Sequence, residues 1–156
     1  MYTTILVGTD GSGPAQQAIN VAGEIARRFD IDTVHVVTGY RPISSAEMTS
    51  LSHELPEEFL STLTADAPSR TVVDGAKHDL EAMGLAVQTH SVPHSGADAI
   101  LDVAEHIGAD LIVVGSRGHG VGRRLLRGSV STKVAHHADC SVFIVHVPHD
   151  SEDESS

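Results

Sequence analysis

The chain of 156 residues is poor in several residue types, and each shortage excludes a class of protein. It has one cysteine, Cys140, which rules out an internal disulfide and fits a reducing compartment. Tryptophan is absent and aromatic residues make up 3% of the chain, so the core must be built from Val, Ile, Leu and Ala. No apolar run approaches the roughly 20 residues of a membrane span, and the N-terminus lacks the basic segment of a secretory signal. We therefore expect a soluble, cytoplasmic protein.

Positive charge is also scarce, because 10 Lys and Arg residues stand against 21 Asp and Glu residues and the formal net charge is −11. Long-range repulsion at this net charge opposes nonspecific binding to nucleic acid and to anionic membranes. Four arginines and five glycines nevertheless fall in one stretch, GSRGHGVGRRLLRGS at 115–129. No Asp or Glu occurs between Asp110 and Asp139. This local positive charge favours an anion site, although a flexible, solvated loop has a similar composition.

Short β-branched runs alternate along the chain with segments of helical periodicity. The runs are TTILVGT (3–9), DTVHVVT (32–38), LAVQTHSV (85–92), DLIVVG (110–115) and SVFIVHV (141–147). Three of them have near-continuous apolar centres, which is typical of strands covered on both faces. Apolar stripes and helix stop signals predict helices over 14–29, 69–83, 97–107 and 129–138, with a short helix at 56–64 in an otherwise irregular region.

This alternation predicts an α/β fold with a single doubly wound, five-stranded parallel sheet and helices on both faces. The predicted strand order is 3-2-1-4-5. We assign residues 1–147 to one domain and expect PHDSEDESS, at 148–156, to form an acidic disordered tail. Ligands of such sheets bind beyond the C-terminal ends of the strands, so the loops 8–13, 38–42 and 115–128 are expected on one rim.

The glycine-rich segment on this rim has the chemistry of a phosphate site. Glycines leave no Cβ between backbone N–H groups and a ligand, and the helix predicted to begin near Ser129 offers the free N–H groups of its first turn. Each charge-assisted hydrogen bond to phosphate contributes roughly 1.5–3 kcal/mol, whereas repulsion from distant acids is screened beyond roughly 8 Å. The chain has neither G-x-x-x-x-G-K-[ST] nor a correctly placed G-x-G-x-x-G, so neither a P-loop NTPase nor a dinucleotide-binding fold is supported.

The same segment resembles a known family, the universal stress proteins. The nucleotide-binding branch carries G-x2-G-x9-G-[ST], and this chain has Gly115, Gly118, Gly128 and Ser129 at that spacing. ILVGTDGS, GADLIVVGSRGHG and GSVSTKVAHHADCSVFIV are also similar to the family, so the resemblance covers about residues 3–147. Two positions depart from it: Gly8 stands where family members often have proline, and DCSV stands where they usually read Cys-Pro-Val.

The resemblance implies a stress-response protein that binds ATP with Mg²⁺ or Mn²⁺ and whose conformation or partners depend on the nucleotide. It implies the following nucleotide-binding residues: Gly8, Thr9, Asp10, Val36, Gly115, Arg117, Gly118, Gly128, Ser129, Val130 and Ser131. Backbone groups at Val36 would recognise the adenine edge. Gly115, Arg117 and Gly118 would line the ribose and phosphates, and the residues from 128 to 131 would hold the phosphate tail. Asp10 would face the adenosine or the metal, but a carboxylate there is equally typical of a helix N-cap.

The resemblance further implies a homodimer joined through the fifth strands, over 141–147. Two other functions stay open: a slow ATPase or autophosphorylating enzyme with Ser129 or Ser131 as acceptor, and a dimeric interaction module that needs no nucleotide. No base is spaced to activate water or a hydroxyl, so we assign no catalytic residue. The histidines lack carboxylate support and predict no zinc centre. Cys140 is expected to be a small buried residue and not a nucleophile.

Overall fold

Five parallel strands form a single sheet at the centre of the protein. The computed structural model describes residues 1–60, 63–116 and 130–146. The strands are β1 (Ile5–Gly8), β2 (Thr33–Gly39), β3 (Ala86–Val92), β4 (Leu111–Gly115) and β5 (Ser141–Val145), in the order β3-β2-β1-β4-β5. The helices are α1 (Gly13–Arg28), α2 (Ser45–Glu54), α3 (Glu57–Leu60), α4 (Ala67–Ala82), α5 (Gly96–Ile107) and α6 (Val130–His137). The predicted fold class and strand order are confirmed.

The sheet separates two hydrophobic cores, and β1 contributes to both. Ile5 and Val7 pack on one face with residues of α1 and α4, whereas Leu6 packs on the other face with Ile100 of α5 and Val134 of α6. All three β1 side chains are fully buried. Burying an aliphatic side chain of this size contributes about 1.5–3 kcal/mol to folding. The near-continuous apolar centre of this run therefore reflects helices on both faces of its strand.

The region after β2 departs from the sequence prediction. The structure has α2 at Ser45–Glu54 and the four-residue α3, where the sequence predicted one short helix at 56–64. Ser44 caps α2 because its Oγ accepts from the Glu47 N–H at 3.2 Å, while the Glu47 carboxylate accepts from the Ser44 N–H at 2.8 Å. This capping box has a recognisable sequence spacing, Ser-x-x-Glu, which the sequence reading overlooked at this point. No residue of α2 is buried.

Several predictions concern residues that the structure does not describe. The glycine-rich segment 117–129, the end of the fifth run and the acidic tail at 148–156 lie outside the described ranges. The boundary of the domain at 147 therefore stays a prediction. Cys140 is half-buried, and burial, followed by the charges of Asp110 and Asp139, raises the pKa of its thiol. Over the described parts of the chain, the helices are too short or too polar to cross a bilayer.

Candidate functional site

A cleft of about 260 Å³ opens at the C-terminal ends of β1, β2 and β4. The winding of the sheet reverses between β1 and β4, because the chain leaves β1 for β2 on one side and reaches β4 on the other. Ligands of doubly wound sheets bind at such a reversal. Apolar walls come from Val37, Ile100 and Val114, and polar groups come from the residues that follow the strands. The location and the lining are both those of a small-molecule site.

Glycines at the ends of the three strands let neighbouring backbone and side chains approach closely. A Cβ at Gly8 would lie 2.5 Å from Cδ1 of Ile100, and one at Gly115 would lie 2.7 Å from the carbonyl oxygen of Pro14. A Cβ at Gly39 would overlap the carbonyl oxygen of His94. The first turns of α1 and α5 can therefore lie against the strand ends, and their backbone helps to form the cleft.

The N-termini of three helices meet at the cleft. Ala15 in the first turn of α1, Gly96 at the start of α5, and Val130 and Ser131 at the start of α6 all line it. Each helix start presents backbone N–H groups without intrahelical partners and the positive end of the helix dipole. Three such ends around one cleft favour an anionic ligand.

The beginnings of α5 and α6 are held together by direct contacts. Lys133 Nζ lies 2.9 Å from Oδ1 of Asp98, and Ser95 Oγ donates to Oδ2 of the same carboxylate at 3.1 Å. The hydrogen bond from Lys133, followed by that from Ser95, lowers the pKa of Asp98. This ion pair holds Lys133 one turn from the part of α6 that lines the cleft.

Two polar side chains of the cleft are ordered by short-range hydrogen bonds, and a third has no partner among the described residues. Asp10 Oδ1 accepts from the Ser12 N–H at 2.9 Å, and Thr9 Oγ1 accepts from the Gly11 N–H at 3.2 Å. Ser116 Oγ is buried and has no hydrogen-bond partner among the described residues. A buried hydroxyl without a partner is rare in native proteins, so Ser116 Oγ is a candidate hydrogen-bonding group for a ligand of the cleft. The Ser116 backbone is fixed, because its N–H donates to Val145 O at 2.9 Å.

The structure brings together most of the predicted site residues that it describes. Gly8, Thr9, Asp10, Gly115, Val130 and Ser131 all line the cleft. The helix N-cap alternative for Asp10 is wrong, because the N-cap of α1 is Ser12, whose Oγ accepts from the Ala15 N–H at 3.3 Å. Arg117, Gly118, Gly128 and Ser129 lie outside the described residues, but their segment follows Ser116 directly and ends directly before Val130, and both of these line the cleft.

Val36 is the predicted residue that the structure does not bring to the cleft. It is fully buried in the middle of β2, where Val7 and Thr89 are its partners on the neighbouring strands. The residues of β2 that line the cleft are Val37, Thr38 and Gly39. The physical reason is that β2 continues to Gly39, so the C-terminal end of the strand, which lines the cleft, lies beyond Val36.

Sequence reasoning also missed Thr38, Gly96, Ile100 and Ser116 as individual lining residues. The sequence does contain a signal for Thr38 and Ser116 as lining residues. Each is the first polar residue after the apolar centre of a strand that ends on the predicted rim. The sequence contains no such signal for Gly96 and Ile100, because these residues reach the cleft through the packing of α5 against the sheet.

Comparison with known proteins agrees with this architecture. The model of the universal stress protein family matches residues 1–146. Universal stress protein MJ0531 of Methanocaldococcus jannaschii is 29% identical over 148 residues, which cover 95% of this chain and 84% of that protein. Universal stress protein Rv1636 of Mycobacterium tuberculosis is 31% identical over 146 residues, which cover 93% and 97%. Among solved structures, a universal stress protein in complex with cAMP superposes with a TM-score of 0.71 at 28% identity and covers 94% of this chain and 98% of that one.

Proposed function

Because the chain belongs to the universal stress protein family, we propose that its cleft binds ATP with Mg²⁺ or Mn²⁺ and that the bound nucleotide sets its conformation or its protein partner. The observation that carries this proposal is the meeting of three helix N-termini around the cleft. Ser116 and Val130, which flank the segment 117–129 with its four arginines, also line the cleft. The complex of a 28% identical universal stress protein with cAMP supports an adenine nucleotide as the ligand class. We take the cytoplasm as the compartment, since a lone cysteine suits reducing conditions.

The two sides of the cleft suit the two ends of a nucleotide. Val37, Ile100 and Val114 offer apolar surface for the base, while Thr38 and Ser116 supply hydroxyl groups at its edge. The phosphates then extend towards the start of α6 and Ser116, the residues that flank the four arginines of 117–129 in the sequence. A volume of about 260 Å³ is near the lower end of the roughly 300–1,000 Å³ of ligand pockets, which fits a nucleoside inside and phosphates at the rim.

The donors of the cleft also fit a magnesium ion carried by the nucleotide. Asp10 is the carboxylate among the described lining residues. Mg²⁺ is usually bound through one or two carboxylates together with substrate phosphates and water. When bound, the ion would neutralise phosphate charge, and Asp10 would orient it. The hydrogen bond from the Ser12 N–H holds Asp10 in place through one carboxylate oxygen.

The partner surface of this proposal is the edge strand β5. Among the described strands it pairs with β4 alone. Phe143 and Ile144 are 47% and 42% exposed although both are large and apolar. Successive residues of a strand point to opposite faces, so apolar surface is exposed on both sides of this edge. An exposed apolar edge is a site for association. A second copy of the chain, joined through β5 to form a homodimer, would cover it.

Calorimetry with ATP, ADP, AMP and cAMP tests the nucleotide proposal, each titrated with and without Mg²⁺. We expect ATP to bind at one site per chain and Mg²⁺ to strengthen binding. Asp10→Asn should remove most of the Mg²⁺ effect, whereas Asp74→Asn, the same charge change on an exposed position of α4, should leave it intact. An ATP affinity that is unchanged by Mg²⁺ would show that the metal ion takes no part in nucleotide binding. Failure of all four nucleotides to bind would leave only a nucleotide-independent module.

A further inference from the structure

Two histidines that do not line the cleft lie side by side on neighbouring strands. His35 of β2 has its Nδ1 3.0 Å from Nε2 of His90 in β3, and the two rings stack with centroids 5.3 Å apart and planes inclined by 20°. Val37 is the register partner of His90, so the two histidines are diagonal neighbours on one face of the sheet. That face packs against α5, because Val37 belongs to the core that α5 completes.

Both imidazoles are kept in the form that binds metal ions. Burial lowers the pKa of His35, and burial followed by the charges of His35 and His106 lowers the pKa of His90. His106 is the titratable group that α5, the helix packed on this face, adds to the pair. No carboxylate contributes to either shift. An imidazole binds a metal ion through the one nitrogen lone pair of its neutral form.

We propose that His35 and His90 form a binding site for a divalent transition-metal ion, Cu²⁺ foremost and Ni²⁺ next. Two imidazole nitrogens that each lie about 2.1 Å from a metal are about 3.0 Å apart when the angle at the metal is about 90°. A tetrahedral angle would set them about 3.4 Å apart at the same bond length. The observed 3.0 Å separation is that of a hydrogen bond, so a small rotation of the rings brings both nitrogens to either spacing. Cu²⁺ comes first because it stands highest in affinity among the divalent ions, and Cu²⁺ and Ni²⁺ both accept tetragonal coordination.

The ion binds the two nitrogens that face each other; the proton that one of them donates moves to the other nitrogen of the same ring, and the rings turn so that both lone pairs point at the ion. Both side chains are half-exposed, so water can fill the remaining coordination positions. The described residues contain no cluster of three or more His, Cys, Asp or Glu side chains arranged for a metal, so this is a two-ligand chelate. Neither histidine lines the cleft, although Val37, the register partner of His90, does. A bound ion would join the edge strand β3 to β2.

Titration of the full-length, nucleotide-free protein with Cu²⁺ against a competing chelator tests the site. We expect one equivalent to bind more tightly than the rest, and His35→Gln or His90→Gln to weaken it about a hundredfold, because either change removes the chelate. The double variant should bind no more weakly than either single variant. His94→Gln is the matched control, since His94 pairs with Asp102 at 3.5 Å and not with the other two histidines. Equal affinity in wild type, His35→Gln and His90→Gln would overturn the proposal.

A second measurement needs no variant and so does not depend on whether one folds. In the wild-type protein with histidine side chains labelled with ¹⁵N, substoichiometric Cu²⁺ broadens the signals of bound imidazoles. We expect the ring signals of His35 and His90 to broaden first and together. Earlier broadening of other histidines, such as the adjacent pair His136 and His137 at the end of α6, would contradict the assignment.

Discussion

The α-carbon of Gly115 lies against the carbonyl group of Pro14, so that a Cβ at position 115 would stand 2.7 Å from that oxygen. This contact joins the end of β4 to the first turn of α1, and both elements line the cleft. The obstacle is backbone and not a flexible side chain, so the helix start would have to move. The glycine that the resemblance assigned to the nucleotide is therefore also required by the packing around it.

Gly115→Ala should lower the free energy of unfolding by about 1–3 kcal/mol, because the added methyl group displaces the start of α1. Urea denaturation measures the change. Gly13→Ala is the matched control, since a Cβ there meets nothing within 4 Å, and it should have little effect. Equal stability of the two variants would show that the first turn of α1 does not lie in close contact with Gly115.

Asp110 fixes the beginning of β1 to the beginning of β4. Its carboxylate accepts from the backbone N–H groups of Thr3 at 2.8 Å and Thr4 at 3.0 Å, and from Thr3 Oγ1 at 2.8 Å. Partial desolvation raises the pKa of Asp110, but these hydrogen bonds outweigh it and leave the pKa below its ordinary value. Asp110→Asn should cost about 1–2 kcal/mol of stability, because an amide offers one acceptor oxygen and no charge. Asp139→Asn, on a nearby exposed residue, should cost little when both are measured in urea.

The exposed edge strand predicts the oligomeric state. Phe143→Glu places a charge on the apolar edge of β5 and should convert the proposed homodimer to a monomer at micromolar concentration, as measured by sedimentation. Phe59→Glu is the control, because Phe59 is 56% exposed but lies in α3, away from β5. A wild-type chain that sediments as a monomer at all concentrations would contradict the dimer, as would a Phe143→Glu variant that remains dimeric.

Stability should fall with acid through the histidine pair. Since the pKa values of His35 and His90 are lowered in the folded chain, the unfolded chain binds more protons below the ordinary value of about 6.5. The free energy of unfolding should therefore decrease as the pH falls from about 6.5 towards the lower folded-state pKa values. His35→Gln should flatten this decrease in urea titrations, whereas His53→Gln on the exposed helix α2 should not. The same slope in both variants would mean that other groups cause the acid sensitivity.

The sheet was predictable from the sequence because burial on two faces demands apolar strands such as ILV at 5–7, and helices must cross between them. The position of the cleft followed from the strand order. The individual residues that line the cleft were less predictable. Ile100 and Gly96 reach it through the packing of α5, which leaves no local pattern in the sequence. The pairing of His35 with His90 depends on the register of β2 and β3, and a slip of one residue would place the two rings on opposite faces.

The most direct test of the central claim is a crystal structure of the protein with saturating ATP and Mg²⁺. The account predicts the adenosine between Val37, Ile100 and Val114, a hydrogen bond to Ser116 Oγ, and phosphates directed towards the start of α6. Electron density for the nucleotide elsewhere on the protein, or a cleft that holds only ordered water at saturating ligand, would contradict it.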